Sequence, residues 1–361
     1  MTTVMTGAVN VLLGRRGRHV PWQRAATRLL ITAAIVFVLV WIIFLAGNTS
    51  NGPAVSAPSD FLKSILNALT ISGLYFIVAS GFTLVFGLMR TVQMAHGSLF
   101  LLAGYFALEY QLDFVGVTAT PDRNQVAWAD WWLPLVIGVV VVSGLGLFIQ
   151  QVFLRWNQGQ DLRQALITIA ISIVLGDQMI QHFGGVAEPI TFTHEIHGYV
   201  EFIGIRYGIH QFFVIGMALG VGGFLWLLLK KTRTGMVIRA GVDDTPMVQA
   251  LGINVQKVFA VAFVLGSALA GLGGVIAGSS VTSLSPGVDG QWLLHSLVVV
   301  IIGGMGSLGG AAAGSLLYGV VTAFAPAYLP TDYAYYSIIA TFVILALVLA
   351  MRPYGLFGRP A

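Results

Sequence analysis

The chain has 361 residues, of which 57% are hydrophobic and 9% are charged. In soluble domains about a quarter of all residues are charged. Most of the chain therefore cannot face water, and the absence of cysteine excludes disulfides and thiolate metal sites. The net charge of +4 comes from short basic clusters between apolar runs, not from a basic face with interleaved aromatic residues, so nucleic acid is not an expected partner.

Apolar runs long enough to cross a bilayer recur along the chain. A helix that crosses the hydrocarbon layer needs about 20 mostly apolar residues. This criterion predicts an all-α polytopic membrane protein with about ten spans, and no fewer than about eight. The spans cover residues 29–46, 64–89, 96–111, 133–154, 164–183, 208–229, 255–279, 291–303, 308–325 and 334–351. The third and eighth are short and begin or end in glycine and polar residues, which indicates interrupted helices.

The charge distribution predicts the orientation of the chain. Basic residues concentrate in segment 1–28, in the loop 230–257 and in the C-terminal tail, whereas the loops of the opposite side are acidic. Lys and Arg mark cytoplasmic loops, so both termini are predicted to be cytoplasmic. The first span resembles a signal peptide, but its long leader and apolar core favour a retained anchor. Residues 29–361 are then one transmembrane domain behind a cytoplasmic N-terminal segment.

The junction between the second and third spans carries polar residues. Gln93, His96, Gly97 and Ser98 lie where one apolar run passes into the next. Polar groups at membrane depth are tolerated where they face protein or a water-filled cavity. These four residues are therefore candidates for a solute path, with an ordinary cytoplasmic loop as the alternative.

Two acidic residues are predicted to lie inside spans. Glu109 and Asp177 are functional candidates by position, and an ion-coupled secondary transporter would need residues of this kind. The outer loop that follows contains His194 and His197, with His182 nearby, but their spacing matches no strong zinc signature. An ordinary surface loop is the favoured interpretation of these histidines.

The cytoplasmic loop 230–257 contains a predicted short helix. Asp243 and Asp244 lie at its N-terminal end, where the helix dipole favours anions, and Gly252 ends it. Its apolar face consists of Met247, Val248, Ala250 and Leu251. Such a helix suits docking in the groove of a partner protein, and an interfacial helix explains the pattern equally well.

Glycines spaced four residues apart predict close helix packing near the C-terminal end. Gly274 and Gly278 form one pair, and Gly310 and Gly314 form another. A second break, with Gly304, Gly306 and Ser307, precedes the latter pair and adds three candidate path residues. The segments 74–110 and 292–324 share the order of apolar run, break and small-residue helix, which suggests an internal repeat.

Two other interpretations of this region, a nucleotide-binding site and a catalytic site, lack the surrounding residues that they require. Gly304-x-Gly306-x-x-Gly309 matches a dinucleotide fingerprint, but no acidic residue follows about 20 positions later. A serine hydrolase using Ser307 and His295 would lack the G-x-S-x-G turn. No P-loop is present, so no cofactor is expected in this chain.

Three segments together resemble the permease subunits of branched-chain amino acid-type ATP-binding-cassette transporters. They are GLYFIVASGFTLVFGLMRTVQMAHGSLFLLAGY at 73–105, RAGVDDTPMVQALGIN at 239–254 and IIGGMGSLGGAAAGSLLYG at 301–319. The resemblance covers roughly residues 61–358. The family also includes importers of urea and short amides, so the resemblance implies import of a small polar solute without naming it.

The resemblance implies a multi-pass transport subunit of the bacterial cytoplasmic (inner) membrane that is not itself an enzyme. Two cytoplasmic ATPase subunits would bind ATP and Mg, a related second permease subunit would complete the membrane part, and an extracytoplasmic solute-binding protein would deliver the solute. The positions carried over as coupling residues are Arg239, Asp243, Asp244, Gly252 and Ile253. Those carried over as path residues are Gln93, His96, Gly97, Gly304, Gly306 and Ser307. Val248 departs from the small residue expected beside them.

Overall fold

A computed structural model describes residues 58–89, 93–116, 126–193, 196, 198–202, 205–243, 245–328 and 336–358. The predicted cytoplasmic segment 1–28 and the predicted span 29–46 lie outside these residues, as do Asp244, His194 and His197. Nearly all described residues outside the short connections are helical.

The helices follow one another with short connections. In chain order they are α1 (Pro58–Met89), α2 (His96–Tyr110), α3 (Trp128–Ile149), α4 (Asp161–Phe183), α5 (Ile209–Lys231), α6 (Arg233–Asp243), α7 (Thr245–Ala250), α8 (Val255–Ser280), α9 (Val288–Gly303), α10 (Leu308–Tyr328) and α11 (Ser337–Met351). Helix α2 continues as a π-helical turn over Gln111–Val115, and α3 continues as one over Gln150–Leu154 and a 3-10 turn over Arg155–Asn157.

This is the architecture of an all-α polytopic membrane protein. Among the described residues, six helical segments are long and apolar enough to cross a membrane, namely those built on α1, α3, α4, α5, α8 and α10, while α9 and α11 are shorter apolar helices. Each predicted span from 64–89 onward coincides with one helix. The total of about ten spans and the side of the termini stay predictions.

Helices α1 and α8 form the centre of the bundle. In their most apolar stretches, 78% and 72% of the residues are buried. The two helices approach closely at Gly81 and Gly266, where a Cβ on Gly81 would lie 2.7 Å from the carbonyl oxygen of Gly266. Lipid tails are as apolar as leucine, so small residues that admit close backbone contact stabilise such pairs.

Helices α2 and α9 both begin inside the bundle. His96 Nε2 lies 3.1 Å from the carbonyl oxygen of Val78, although α1 continues to Met89. The first turn of α9 lies at the same level, since the ring of Trp292 stacks on Phe100 at 4.7 Å. The interruptions that the sequence predicts therefore bring two helix starts together in the interior.

The connection between α4 and α5, residues 184–208, contains a β-hairpin where the sequence predicts an ordinary surface loop. Strand β1 (Tyr199–Phe202) pairs antiparallel with β2 (Ile205–Gly208). Tyr207 anchors the hairpin to α1, since its hydroxyl lies 2.6 Å from Thr70 Oγ1 and donates to the carbonyl of Leu66 at 2.8 Å. Burial raises the pKa of Tyr207, which keeps the phenol protonated. The sequence carries no clear signal for the hairpin, because its strands are short and Tyr199, Val200 and Glu201 of β1 are exposed.

The loop 230–257, which is predicted to be cytoplasmic, differs from the single short helix predicted for it. Two helices, α6 and α7, cover it, and Asp243 is the last residue of α6 instead of an N-terminal residue of the second helix. Helix α7 ends as predicted at Gly252, whose φ is +77°. Gly252 N–H donates to the carbonyl of Gln249 and Ile253 N–H to that of Val248, which is the Schellman pattern.

The break after α9 is a glycine turn held by the C-terminal tail. Gly304 and Gly306 have φ values of +100° and +78°, in the left-handed region that favours glycine. Leu356 N–H donates to the carbonyl of Ile302 at 2.8 Å, so the tail runs along the end of α9. A Cβ on Gly304 would collide with the backbone of the tail. The turn is thus a packing site as well as a helix break.

A polar seam between α2 and α4 as the candidate functional site

Helix α4 carries a polar stripe on an otherwise apolar surface. Gln164, Thr168 and Ser172 are spaced four residues apart, which places them on one face of the helix. Gln164 and Thr168 are each 1% exposed. Only 11% of the most apolar stretch of α4 is buried, so this stripe is the side that packs on the bundle.

The stripe pairs with α2 through hydrogen bonds. Ser172 Oγ and Ser98 Oγ are 2.7 Å apart, and Ser98 donates to Asp289 Oδ2 at 3.2 Å. Toward the start of α2, Met94 N–H donates to Thr168 Oγ1 at 3.2 Å. The hydrogen-bonded contact between α2, the stripe of α4 and Asp289 is called the polar seam.

Buried amide side chains lie at the end of the polar seam near the start of α2, and some of their polar atoms make no hydrogen bond to the described residues. Both side-chain polar atoms of Gln93 and Oε1 of Gln164 are buried without a hydrogen-bond partner among the described residues. Gln164 Nε2 donates to the carbonyl of Asn157 at 2.8 Å. An unpaired buried polar group costs about 1–3 kcal/mol, so groups of this kind ordinarily bind water or a ligand.

The opposite end of the polar seam opens into a cleft of about 370 Å³. Its lining residues are Leu101, Tyr105, Ser172, Ile173, Gly176, Asp177, Met179, Ile180, Pro286, Gly287 and Asp289. Two of them are acidic and none is basic. Ser172 belongs to both the cleft and the polar seam, so the two form one continuous polar feature.

The structure separates the predicted path residues into two groups. Gln93, His96, Gly97 and Ser98 lie at the start of α2, and a Cβ on Gly97 would collide with the carbonyl oxygen of Asp289. Gly304, Gly306 and Ser307 follow the far end of α9, and a Cβ on Gly304 would collide with the C-terminal tail. The first group adjoins the polar seam, and the second does not.

Several residues of the site were absent from the sequence-based candidates. Thr168, Ser172, Tyr105 and Asp289 line the polar seam or the cleft. The spacing of Gln164, Thr168 and Ser172 was a usable signal, because an apolar span with polar residues every four positions has a polar face. Tyr105 and Asp289 carried no local signal, because only the packing of α2 against α9 brings them to α4.

The predicted packing glycines lie at close approaches between neighbouring segments of the chain. A Cβ on Gly274 would collide with the carbonyl oxygen of Phe100, and one on Gly278 would lie 2.8 Å from Ile190 Cδ1. On α10, Cβ atoms on Gly310 and Gly314 would collide with the end of α9.

The remaining polar candidates have other contacts. Glu109 Oε1 lies 2.9 Å from His182 Nε2, and Asp177 accepts a hydrogen bond from Gln181 at 2.9 Å while lining the cleft. No group of three potential metal ligands occurs within the described ranges.

The residues of the rejected hydrolase interpretation do not meet. Ser307 Oγ accepts from Gly310 N–H at 3.1 Å and so caps α10. His295 Nδ1 lies 2.8 Å from the hydroxyl of Tyr318. The serine and the histidine therefore have separate structural partners.

Of the predicted coupling residues, Arg239 and Asp243 lie on α6, and Gly252 and Ile253 follow the end of α7. Arg239 is exposed on α6, and Ile253 packs against the core directly after the turn at Gly252. Of the predicted apolar face, Val248 is 3% exposed, whereas Met247 and Leu251 are 56% and 67% exposed. Val248 therefore anchors α7 to the bundle, and the other two side chains form an apolar surface on the outside.

Comparison with known proteins agrees with this architecture. A family model described as branched-chain amino acid transport system / permease component matches residues 64–348. The high-affinity branched-chain amino acid transport permease LivH of Escherichia coli is 28% identical over 306 residues, covering 83% of this chain and 96% of LivH. BraD of Pseudomonas aeruginosa, a permease of the same description, is 29% identical with the same coverage.

A more distant relative has a different described solute. The fructose import permease FruF of Bifidobacterium longum is 24% identical over 306 residues, covering 81% of this chain and 77% of FruF. The family model spans most of the chain and all of the helices that form the polar seam. The protein belongs to the branched-chain amino acid transport permease family and is a transmembrane permease subunit of an ATP-binding-cassette importer.

Proposed function

We propose that this chain imports an aliphatic amino acid across the bacterial cytoplasmic membrane, with a sugar, urea or a short amide as the alternative solutes. The observation that carries the proposal is the polar seam between α2 and α4, which joins an outer cleft to buried amides beside Gln93. A continuous line of polar groups inside an apolar bundle suits passage of a small polar solute. The described solutes of LivH and BraD support an amino acid, and that of FruF supports a sugar.

The proposed assembly contains partners on both sides of the membrane. Two cytoplasmic ATPase subunits hold ATP and Mg and dock on α6 and α7, where Met247 and Leu251 are exposed. A second, related permease subunit completes the membrane part, and an extracytoplasmic solute-binding protein delivers the solute. Both termini are cytoplasmic in this arrangement, in line with the basic loops on that side.

Helix α4 is the element that we expect to move. It contacts the bundle along one narrow face and leaves most of its apolar stretch exposed. The contacts on that face combine hydrogen bonds at Ser172 and Thr168 with apolar side chains, among them Met179 and Phe183, that pack against the core. Closure of the ATPase subunits would displace α6 and α7, and the resulting shift of α4 would open the polar seam to one side at a time.

Reconstitution tests the proposal. The full complex in proteoliposomes, with ATP inside and the solute-binding protein outside, should accumulate radiolabelled L-leucine, and a non-hydrolysable ATP analogue should abolish uptake. Parallel assays with D-ribose and urea identify the alternative solutes. Uptake that survives ATP depletion and collapses with the ion gradient would instead indicate a secondary transporter, for which Asp177 is the exposed carboxylate to examine.

A further inference from the structure

We propose that the cleft at the outer end of the polar seam is a transit site for the ammonium group of a zwitterionic aliphatic solute. Asp289 accepts hydrogen bonds from the ammonium group, Tyr105 supplies a second polar contact, and the aliphatic side chain of the solute lies against the apolar lining residues. This inference rests on the proposed import of an amino acid and names the residues that would select it.

The charge of the cleft favours a cationic group. Asp177 and Asp289 both line it, and no lysine, arginine or histidine does. Glu188 also lies near enough to interact electrostatically with Tyr105. A concave surface with charges of one sign concentrates groups of the opposite sign, so the ammonium end of a zwitterion is drawn toward Asp289.

Tyr105 provides independent evidence for a ligand. Its side chain is 2% exposed, yet its hydroxyl has no hydrogen-bond partner among the described residues. The ring is held in place by stacking on Phe183 at 4.4 Å, with an interplanar angle of 6°. A buried tyrosine hydroxyl usually finds a partner, and here the cleft that Tyr105 lines is where a solute would supply one.

The polar seam holds Asp289 in place. Ser98 donates to Asp289 Oδ2, and a hydroxyl has one proton, so Ser172 must then donate to Ser98. Gly97 packs against the backbone of Asp289, which fixes the first turn of α9 beside α2. Ser98 and Ser172 are therefore positioning residues for the carboxylate.

Apolar side chains form much of the remaining cleft lining. Leu101, Ile173, Met179 and Ile180 line the cleft, and their chemistry matches a branched aliphatic side chain better than a sugar. The cleft volume of about 370 Å³ lies at the lower end of small-molecule sites, which span about 300–1,000 Å³. A cleft lined by both an ammonium acceptor and apolar side chains would select an aliphatic amino acid.

The chain has no cysteine, so a single introduced thiol reports on the cleft. Ser172→Cys in the assembled complex should react about tenfold faster with a cationic than with an anionic methanethiosulfonate reagent of similar size. Adding Asp289→Asn should reduce that preference severalfold. Gln178→Cys, on the exposed surface of α4 outside the cleft lining, is the control and should show a weaker preference.

Protection of Ser172→Cys from labelling shows which cationic ligand occupies the cleft. Saturating L-leucine should slow labelling of Ser172→Cys, whereas 4-methylpentanoate, which lacks the ammonium group, should not. Protection by sodium ions alone would assign the cleft to an inorganic cation and overturn the proposal. Equal reaction with both reagents, or reaction with neither, would also overturn it.

Measurements of L-leucine uptake distinguish a failure of the transit site from a failure of the proposed function. Tyr105→Phe removes only an unpaired hydroxyl and should fold, so a rise of about tenfold in the KM for L-leucine at normal assembly is expected for it and for Asp289→Asn. If the unsubstituted complex imports no amino acid, the proposed function fails. If it imports L-leucine and both variants keep the original KM and kcat, the transit site fails while the proposed function stands.

Discussion

Ser98 and Ser172 bring their hydroxyl oxygens to 2.7 Å across the interface of α2 and α4. The same Ser98 hydroxyl lies 3.2 Å from Asp289 Oδ2 at the start of α9. Three helices that are distant in sequence are thus joined by one chain of hydrogen bonds, from Ser172 through Ser98 to Asp289. This chain of hydrogen bonds ends at the cleft, so it holds α4 where we expect the solute to pass.

The serine pair should show energetic coupling. Ser98→Ala and Ser172→Ala should each lower stability by about 1 kcal/mol, and the double variant should cost less than the sum because both remove one interaction. Thermal unfolding of the purified complex measures this. Ser143→Ala is the control, since its hydroxyl bonds only the carbonyl of Val139 within its own helix. Strict additivity would show that the pair contributes nothing.

Two glycines of α10 should respond differently to alanine. A Cβ on Gly314 would collide with the carbonyl oxygen of Val299, so Gly314→Ala should destabilise the α9–α10 contact by about 1–3 kcal/mol. Gly309 has no neighbouring atom within 4 Å of an added Cβ, so Gly309→Ala should be neutral or slightly stabilising. The comparison is made by thermal unfolding, and equal effects would contradict close packing at Gly314.

The turn after α7 should tolerate asparagine better than alanine. Gly252 has a φ of +77° and open space around it, so Gly252→Ala costs about 1 kcal/mol through backbone strain alone. Asparagine adopts this conformation more readily, and Gly252→Asn should retain ATP hydrolysis that is stimulated by the solute-binding protein. A normal rate in Gly252→Ala would show that the position of α7 is unimportant for coupling.

The paired aspartates between α6 and α7 should matter for coupling. Asp243→Asn together with Asp244→Asn should reduce both uptake and solute-stimulated ATP hydrolysis at least about tenfold if they contact the ATPase subunits. Asp130→Asn, at the predicted outer side in the first turn of α3, is the control. Unchanged uptake in the double variant would remove these residues from the coupling surface.

The β-hairpin should depend on one tyrosine. Tyr207→Phe loses the contact with Thr70 and the bond to the carbonyl of Leu66, and should destabilise the protein by about 1–2 kcal/mol. Tyr199 is 70% exposed, and Tyr199→Phe should have no measurable effect. Protease susceptibility of the loop 184–207 reports the change directly, and an unaltered Tyr207→Phe variant would show that the hairpin is anchored elsewhere.

Local features of the chain were sufficient to predict its long apolar helices, but not the two helices α6 and α7 of the loop 230–257. The apolar runs that became α3, α5 and α8 needed no tertiary information, because a span is recognised by its length and hydrophobicity. The glycine turn at Gly252 and the break at Gly304 could also be predicted from the sequence, because a positive φ strongly favours glycine.

Tertiary structure alone decided which polar residues meet. The start of α2 was singled out from sequence, but its partners Ser172 and Asp289 lie far away along the chain, and no local pattern pairs them with Ser98. Gly304 was grouped with the path by sequence, yet the C-terminal tail fills the space beside it. The sequence by itself determined the membrane class, the helices and their breaks, since these depend on neighbouring residues. Only the packing of α2, α4 and α9 determined the site, because a contact between helices depends on the relative positions of all three.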